Sequence, residues 1–516
     1  MSFTTGSARS TLRRLAAVPL LALLGACGST YAVPDTGISG APGSGAASDP
    51  EATIHVGSLY EPTNLSFVGG GGQGLTQAFY GNVYEALFRL NDDGSVEPNL
   101  AADVATSEDG LTRTVTIQEG VGFHSGKPLM AADVAASYDL FTNATYQSPR
   151  VNVLNGAIDS VEATDDSTVV FHLKAPWIEF EYQLSYVWVV NTALADLESE
   201  ADGTGPYRFD DWKHGATLSL ARFDAYWGRP ARNGAVVFHY FTDASALANA
   251  LASGDIDIIA QLQSPDSLAQ FENQAQYTIT DSSSTTKLLL AFNDKVAPFD
   301  DVRVRRAIYS AIDREKLLRS IWGDYGQLIG SMAAPTDPWY IDLTGVNPYD
   351  PELSRQLLDQ AGLGDGFGFV LDTPTYDPHP TVAEFVQSEL AQVGVKVEIN
   401  LITADEWYER VLQGHDFAAT LQEHVNDRDI DRYANPNFYF GWDDAEFQRL
   451  YRQSQSTATS AEQAELMRQA NTRLAEQAAS AWLYLYPQIV VAKSDLAGYQ
   501  LHGLNSQFQA RDIVKP

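Results

Sequence analysis

The chain has 516 residues, 44% of them apolar, and a formal charge of −33. That apolar share supports a large buried core and excludes global disorder, and the length suggests about three domains. The acidic balance argues against nucleic acid, whose phosphates need lysine and arginine, and it disfavours direct contact with anionic lipid. A solvated acidic surface is its plainest meaning.

The N-terminus is built in three parts. Arg9, Arg13 and Arg14 give a basic front, Leu15 to Leu24 an apolar run, and small residues then lead to Cys27. This is the order of a secretory signal, and the run is too short to span a bilayer as a mature helix. Leu24-Gly25-Ala26-Cys27 resembles the bacterial lipobox. The resemblance implies that residues 1–26 are a lipoprotein signal peptide and that Cys27 receives lipid, each buried methylene adding roughly 0.8 kcal/mol of anchoring. Arg13-Arg14 leaves the export route open between the general and the twin-arginine pathway. Cys27 is the only cysteine, so no internal disulfide can form and packing must supply the stability. Gly28 to Pro50 is rich in Gly, Ser, Ala and Pro, so residues 27–52 are expected to be a flexible tether.

Residues 53 to 59 read as a first strand, and Tyr60 to Leu65 turn out of it. Gly69 to Gly74 lacks the Gly-Lys-Ser/Thr ending of a phosphate loop and is expected to be a plain loop. Tyr84-Glu85-Ala86-Leu87-Phe88, Pro98-Asn99-Leu100-Ala101, a strand Arg113 to Ile117 and Val121 to Leu129 follow. A helix then starts near Ala131, with Asp133 in its first turn, where a carboxylate suits the helix dipole. Gly203-Thr204-Gly205-Pro206-Tyr207, Tyr226-Trp227 and Leu251 to Ile258, a helix end running into a strand, come next. Leu288 to Asn293 reads as a strand, and Pro298 to Ile308 as a helix entry capped by Asp300. Asp350-Pro351 opens another helix, ending at Ala361-Gly362. Val382 to Val393 (helix), Val395 to Ile402 (strand) and Ala404 to Gln413 (helix) continue an α/β rhythm.

The order and spacing of these segments, from about Thr53 to the C-terminus, resemble the family 5 bacterial extracellular solute-binding proteins. These are the oligopeptide-, dipeptide- and nickel-binding components of ABC importers. The resemblance implies an α/β, two-lobe periplasmic-binding-protein-like fold (type II, cluster C) with an extra subdomain in lobe one. Residues 53–292 would form lobe one, with the subdomain at about 80–205. Residues 293–480 would form lobe two, and 481–516 would return to lobe one. It also implies a monomer that takes a peptide or similar small organic solute and meets an ABC permease and its ATPase subunits.

Enzyme signals are weak. Ser284-Thr285-Thr286-Lys287 matches Ser-x-x-Lys, but it leads into a strand rather than opening a helix, and no Lys-Thr-Gly partner exists. No Gly-x-Ser-x-Gly elbow and no His-Glu-x-x-His appears, and no histidines are spaced as a metal pair, so neither catalysis nor a cofactor is expected. His172 and His239 read as satisfied groups within apolar strands. A tethered hydrolase and a nickel-complex binder are the alternative readings.

The informative stretch is Glu423 to Trp442, after an expected strand Phe417 to Leu421, since α/β proteins place ligands at the carboxyl ends of strands. Acids and aromatics interleave there, suited to an ammonium and to apolar groups. From composition alone, a solvated loop with Asp–Arg pairs is the better fit. In peptide-binding relatives a carboxylate just after this strand holds the ligand's α-amino group, and the resemblance carries that role to Asp427 or Asn426. Glu423 and Tyr433 share the stretch, Trp407 matches a cleft tryptophan of dipeptide binders or equally packs its own helix, and Tyr60 and Asn64 follow the first strand. Dipeptide binders also clamp the ligand carboxylate with an arginine in the segment matching Asp372 to Pro380. This chain has neither Arg nor Lys there, so a dipeptide binder of that kind is not expected, and longer peptides or another amine-bearing or uncharged solute fit better.

Overall fold

The computed structural model describes residues 48–516, apart from 67, 69, 144–148, 264, 274, 502, 503 and 505. The expected signal peptide, Cys27 and all but the last few residues of the expected tether lie outside the described residues. From Asp49 the chain is already attached to the folded body: the Asp49 amide donates to the Lys515 carbonyl at 2.9 Å. Arg222 pairs with Glu51 at 2.7 Å.

One ten-stranded sheet organises the molecule. From edge to edge its strands are Tyr207–Lys213, Thr217–Arg222, Ala235–Tyr240, Thr53–Ser58, Ile258–Ile259, Ser480–Lys493, Tyr277–Phe292, Ala419–His424, Phe367–Pro374 and Val395–Ile402. Two long strands at its centre, Tyr277–Phe292 and Ser480–Lys493, run antiparallel and join its halves. Their register shifts between Ser283 and Lys287. Ser480–Lys493 is buried along nearly its whole length, as a strand covered on both faces must be. It contains the expected Ala481 to Tyr486 alternation, and its aromatics are core. A separate four-stranded antiparallel sheet holds Ala101–Thr106, Thr112–Ile117, Thr168–Leu173 and Ile158–Ala163. Three large apolar cores, beside a small cluster of Leu90, Tyr182 and Leu504, follow from this layout among the described residues. One fills the small sheet with the Ala131–Thr142 helix, one packs around Thr53–Ser58, and the largest surrounds the helices and strands after Leu288.

Local signals mostly behave as their chemistry requires. The Asp133 carboxylate accepts from the Met130 amide at 3.0 Å. Asp350 caps the Pro351–Gln360 helix through two amides. Gly254, at φ 89°, ends the Ala244–Ser253 helix in the left-handed region that glycine adopts most readily. Three expectations are corrected. The Val302–Ser310 helix is capped by Asp301, whose carboxylate accepts from the Arg303 amide at 2.8 Å, and not by Asp300. The Leu288 strand is the end of a far longer one, because the polar lead 277–287 pairs with Ser480–Lys493 instead of looping. The strand expected at Phe417 to Leu421 is Ala419–His424, which puts Glu423 on the strand itself.

Ser284 and Lys287 do not form a catalytic pair. The Ser284 hydroxyl donates to the Tyr486 carbonyl at 2.7 Å, while Lys287 pairs with Asp429. His239 meets His55 ring to ring at 2.9 Å, and burial lowers the pKa of both. His172 is partly exposed and lies 3.4 Å from Glu162.

Candidate functional site

Beyond His424 the chain leaves the sheet and turns sharply at Arg428, a non-glycine residue with φ of 50°. Such strain persists only where surrounding contacts hold it, and here they are specific. One arm of the Arg428 guanidinium meets Glu179 Oε2 at 3.0 Å and the other the Gly94 carbonyl at 2.9 Å. Its plane lies over the Tyr182 ring at 3.9 Å and the Trp339 ring at 5.4 Å. Gly94 must be glycine, because a Cβ there would strike the Thr336 carbonyl at 2.1 Å. The short helix Asp429–Ala434 follows.

This turn is one wall of a cavity of about 340 Å³. Gly70 to Gly72, Arg150 and the Glu179–Trp188 segment form facing walls. The cavity is therefore built from parts of the chain more than two hundred residues apart. Asp427 is 5% exposed, and the hydroxyls of Tyr182 and Tyr186 both donate to its Oδ1 at 2.8 Å. Beneath the turn, the fully buried Lys287 ammonium donates to Asp429 Oδ1 at 2.6 Å and to the Asn426 carbonyl. Burial alone would raise the Asp429 carboxyl, but Lys287 and the His424 ring, 3.4 Å away, outweigh it and hold it below the usual range. Burial instead raises Asp337, whose carboxylate accepts from the Arg428 amide at 3.3 Å, to about 7.

The sequence-derived residues divide among three places. Asp427 and Asn426 line the cavity. Glu423 faces elsewhere: it sits opposite Leu288, which in turn sits opposite Tyr484, so the three form one row across adjacent strands. Burial raises Glu423 to about 7, and its charge acts on Tyr60 and Tyr376. Tyr60 accepts from Gln263 in that second region. Asn64 lies in the turn before it, its side-chain oxygen accepting from the Ser66 amide at 2.9 Å. The other two pack in the core. The Trp407 indole donates to Thr420 Oγ1 at 3.0 Å and sits edge-on to Tyr439. Tyr433 stacks on Phe440 at 4.4 Å and donates to Ser480 Oγ at 2.8 Å. Asp372, in the segment lacking a basic residue, accepts from Arg410 and from Asn400 at 2.8 Å, so Arg410 is already paired.

Sequence reasoning missed Arg150, Glu179, Tyr182 and Tyr186. The run Glu179-Phe180-Glu181-Tyr182-Gln183-Leu184-Ser185-Tyr186 interleaves acids and aromatics as the Glu423 segment does, and that pattern was the available signal. Arg150 carried none. Among the described residues no group of three or more His, Cys, Asp or Glu converges as a metal site.

The model of the bacterial extracellular solute-binding proteins, family 5 Middle, matches residues 95–456. The chain belongs to this family. It is 31% identical over 352 residues to a glutathione-binding protein of Pectobacterium atrosepticum, a match spanning 64% of this chain and 66% of that protein. It is thus aligned over just under two thirds of that relative's length. Among solved structures, it resembles a periplasmic binding protein of Helicobacter pylori in complex with the peptide STSA. The TM-score is 0.76 at 22% identity, over 90% of this chain and 98% of that one. It also resembles a Brucella suis protein, NikA, in complex with Fe(III)-EDTA, with a TM-score of 0.79 at 22% identity over 90% and 100% of the two chains. These likenesses fix the architecture as the two-lobe, type II periplasmic-binding-protein fold.

Proposed function

We propose that this protein is the solute receptor of an ABC importer, holding a peptide or similar small organic solute in the cavity beside Asp427. It hands the solute unaltered to a permease driven by its ATPase subunits. The observation that carries this reading is the origin of the cavity walls. Residues 426–432 follow a strand on one side of the two long central strands, whereas 70–72 and 150–188 precede them in the chain. A solute touching both walls stabilises the closed arrangement over the open one, and that differential affinity is what closes such a clamp. Lobe one is 53–292 with 481–516, lobe two is 293–480, and the long strands form the joint. Asp427 and Asn426 are the first candidates for solute contact. Membership in the family and the glutathione-, peptide- and metal-chelate-binding relatives support the solute class.

The test is intrinsic tryptophan fluorescence and melting temperature measured against short peptides, glutathione and metal chelates. A saturable shift with at least one solute is expected, and a flat response to all of them sinks the reading. Residues 1–26 and Cys27 carry the second half of the proposal, a receptor held outside the cytoplasm by lipid. Cys27→Ala should move the protein from the membrane fraction to the soluble one. Retention in the membrane fraction would refute the lipid anchor.

A further inference from the structure

The two walls of the cavity also touch each other directly, and the contacts converge on Arg428 and Glu179, which lie 249 positions apart in the chain. The Arg428 guanidinium reaches away from its own turn, with one arm on Glu179 Oε2 at 3.0 Å and the other on the Gly94 carbonyl at 2.9 Å. One ring from each wall lies against it, Tyr182 at 3.9 Å and Trp339 at 5.4 Å. The second oxygen of Glu179 accepts from the Gln463 side chain, which comes from the Arg428 side of the cavity. Beside Glu179, the Ile178 amide donates to the Gln455 carbonyl at 3.1 Å. The Arg428 and Glu179 side chains are only 11% and 7% exposed, so closure takes both charges out of water. Burial works against a charged guanidinium, but Glu179, Tyr182, Asp427 and Asp337 outweigh it and raise the Arg428 pKa.

A buried ion pair holds only if its other hydrogen-bonding positions are met. Here both carboxylate oxygens and both arms of the guanidinium have partners. Every one of these contacts joins protein to protein, and opening the cavity breaks them together. Arg428, Gln455 and Gln463 leave with one wall, and Gly94, Ile178 and Glu179 with the other. The positive φ of Arg428 fits the same picture, since a strained backbone is kept where it aims a side chain at fixed partners. We propose that Arg428, Glu179 and Gln463 form a clasp that biases the clamp toward its closed arrangement before a solute arrives. This rests on the two-lobe reading above, and it adds a control on the same site. A receptor binds more weakly by whatever fraction of it is not in the competent form. The clasp sets that fraction, so it scales the affinity for every solute by one common factor. A residue that gripped the solute would instead favour some solutes over others.

The experiment titrates glutathione and a panel of di- to pentapeptides into wild type and variants by calorimetry, and follows amide hydrogen exchange without solute. Glu179→Gln strands the Arg428 charge only when the walls meet. Gln463→Glu sets a second carboxylate against Glu179 from a position that does not line the cavity. Each should weaken binding of every solute by a similar factor, roughly ten- to a hundredfold. Arg428→Gln should do the same, and the double variant Glu179→Gln/Arg428→Gln should lose less than the two singles together, because they share one contact. Exchange should quicken around Ile178 in each single variant and stay unchanged in Thr53–Ser58 and Ser480–Lys493. Unaltered exchange at Ile178 would overturn the clasp. So would a loss of affinity confined to some solutes, or quickened exchange through the central strands as well, which would mean that the pair holds the fold and not the closure. All three leave the receptor reading intact. If wild type binds no probe, the receptor reading falls, and the exchange at Ile178 still decides the clasp.

Discussion

Glu423 and Asp429 flank the same turn out of one strand, yet their carboxyls shift in opposite directions. Both are withdrawn from water, which by itself favours the protonated form. Glu423 faces tyrosines and is pushed up to about 7. Asp429 is the more deeply buried, with its side chain 4% exposed, but the Lys287 ammonium and the His424 ring hold it down. Depth therefore does not decide whether a buried acid is charged; a cation that also hydrogen-bonds to it does. The Asp294 carboxyl marks the limit. Arg305 stands 3.5 Å away, yet neither oxygen has a hydrogen-bond partner, and burial carries it well above its ordinary value.

The largest effect should come from breaking the charged side of this contrast. Lys287→Met leaves Asp429 buried without its countercharge, and losing one partner of a buried pair typically costs about 3–5 kcal/mol. Urea denaturation at neutral pH should register a loss of that size with an unchanged slope. Adding Asp429→Leu should recover much of it, since the stranded carboxylate is then gone. If the single variant costs under about 1 kcal/mol, the pair does not govern the turn, and the contrast with Glu423 collapses.

That pairing also shows why one part of the site was legible and another was not. The Glu423–Trp442 stretch stood out by its interleaved acids and rings after a strand, but composition alone favoured a solvated loop there, and the family resemblance supplied the role offered for Asp427. The fold class was legible for a similar reason, because many short motifs in fixed order are jointly specific. The sequence could not tell which acids were already spent. Lys287 lies 142 positions before Asp429, and Tyr182 lies 245 before Asp427. Such contacts leave no local period. Trp407 and Tyr433 looked like site aromatics because a ring suits a ligand or a core equally well. In the structure both rings are buried, with Thr420 and Ser480 as their hydrogen-bond partners. The misplaced cap, Asp301 in place of Asp300, is the ordinary ambiguity of two adjacent acids before a helix.

The smaller effect concerns the neutral side. A carboxyl whose folded value is raised binds a proton more tightly in the folded than in the unfolded chain. Its contribution to stability is complete below the unfolded value, near 4.5, and is lost as pH rises through about 7. Asp92 and Asp337, both raised to about 7 by burial, act in the same sense. The folded protein should therefore be more stable near pH 5 than near pH 8, with uptake of protons on folding in between. Glu423→Gln removes one contributor and should flatten the slope by an amount on the order of 1–3 kcal/mol across that interval, leaving the slope below pH 4 unchanged. Asp429 belongs to that lower region. Its held-down value contributes stability above about 3.8 that disappears only as pH falls through the folded value. Chemical denaturation of both proteins at several pH values between 3 and 8 separates the two windows. If Glu423→Gln left the pH 5–8 slope intact and altered the acid limb, the strand carboxyl would be charged in the folded state. The two acids would then differ in depth alone.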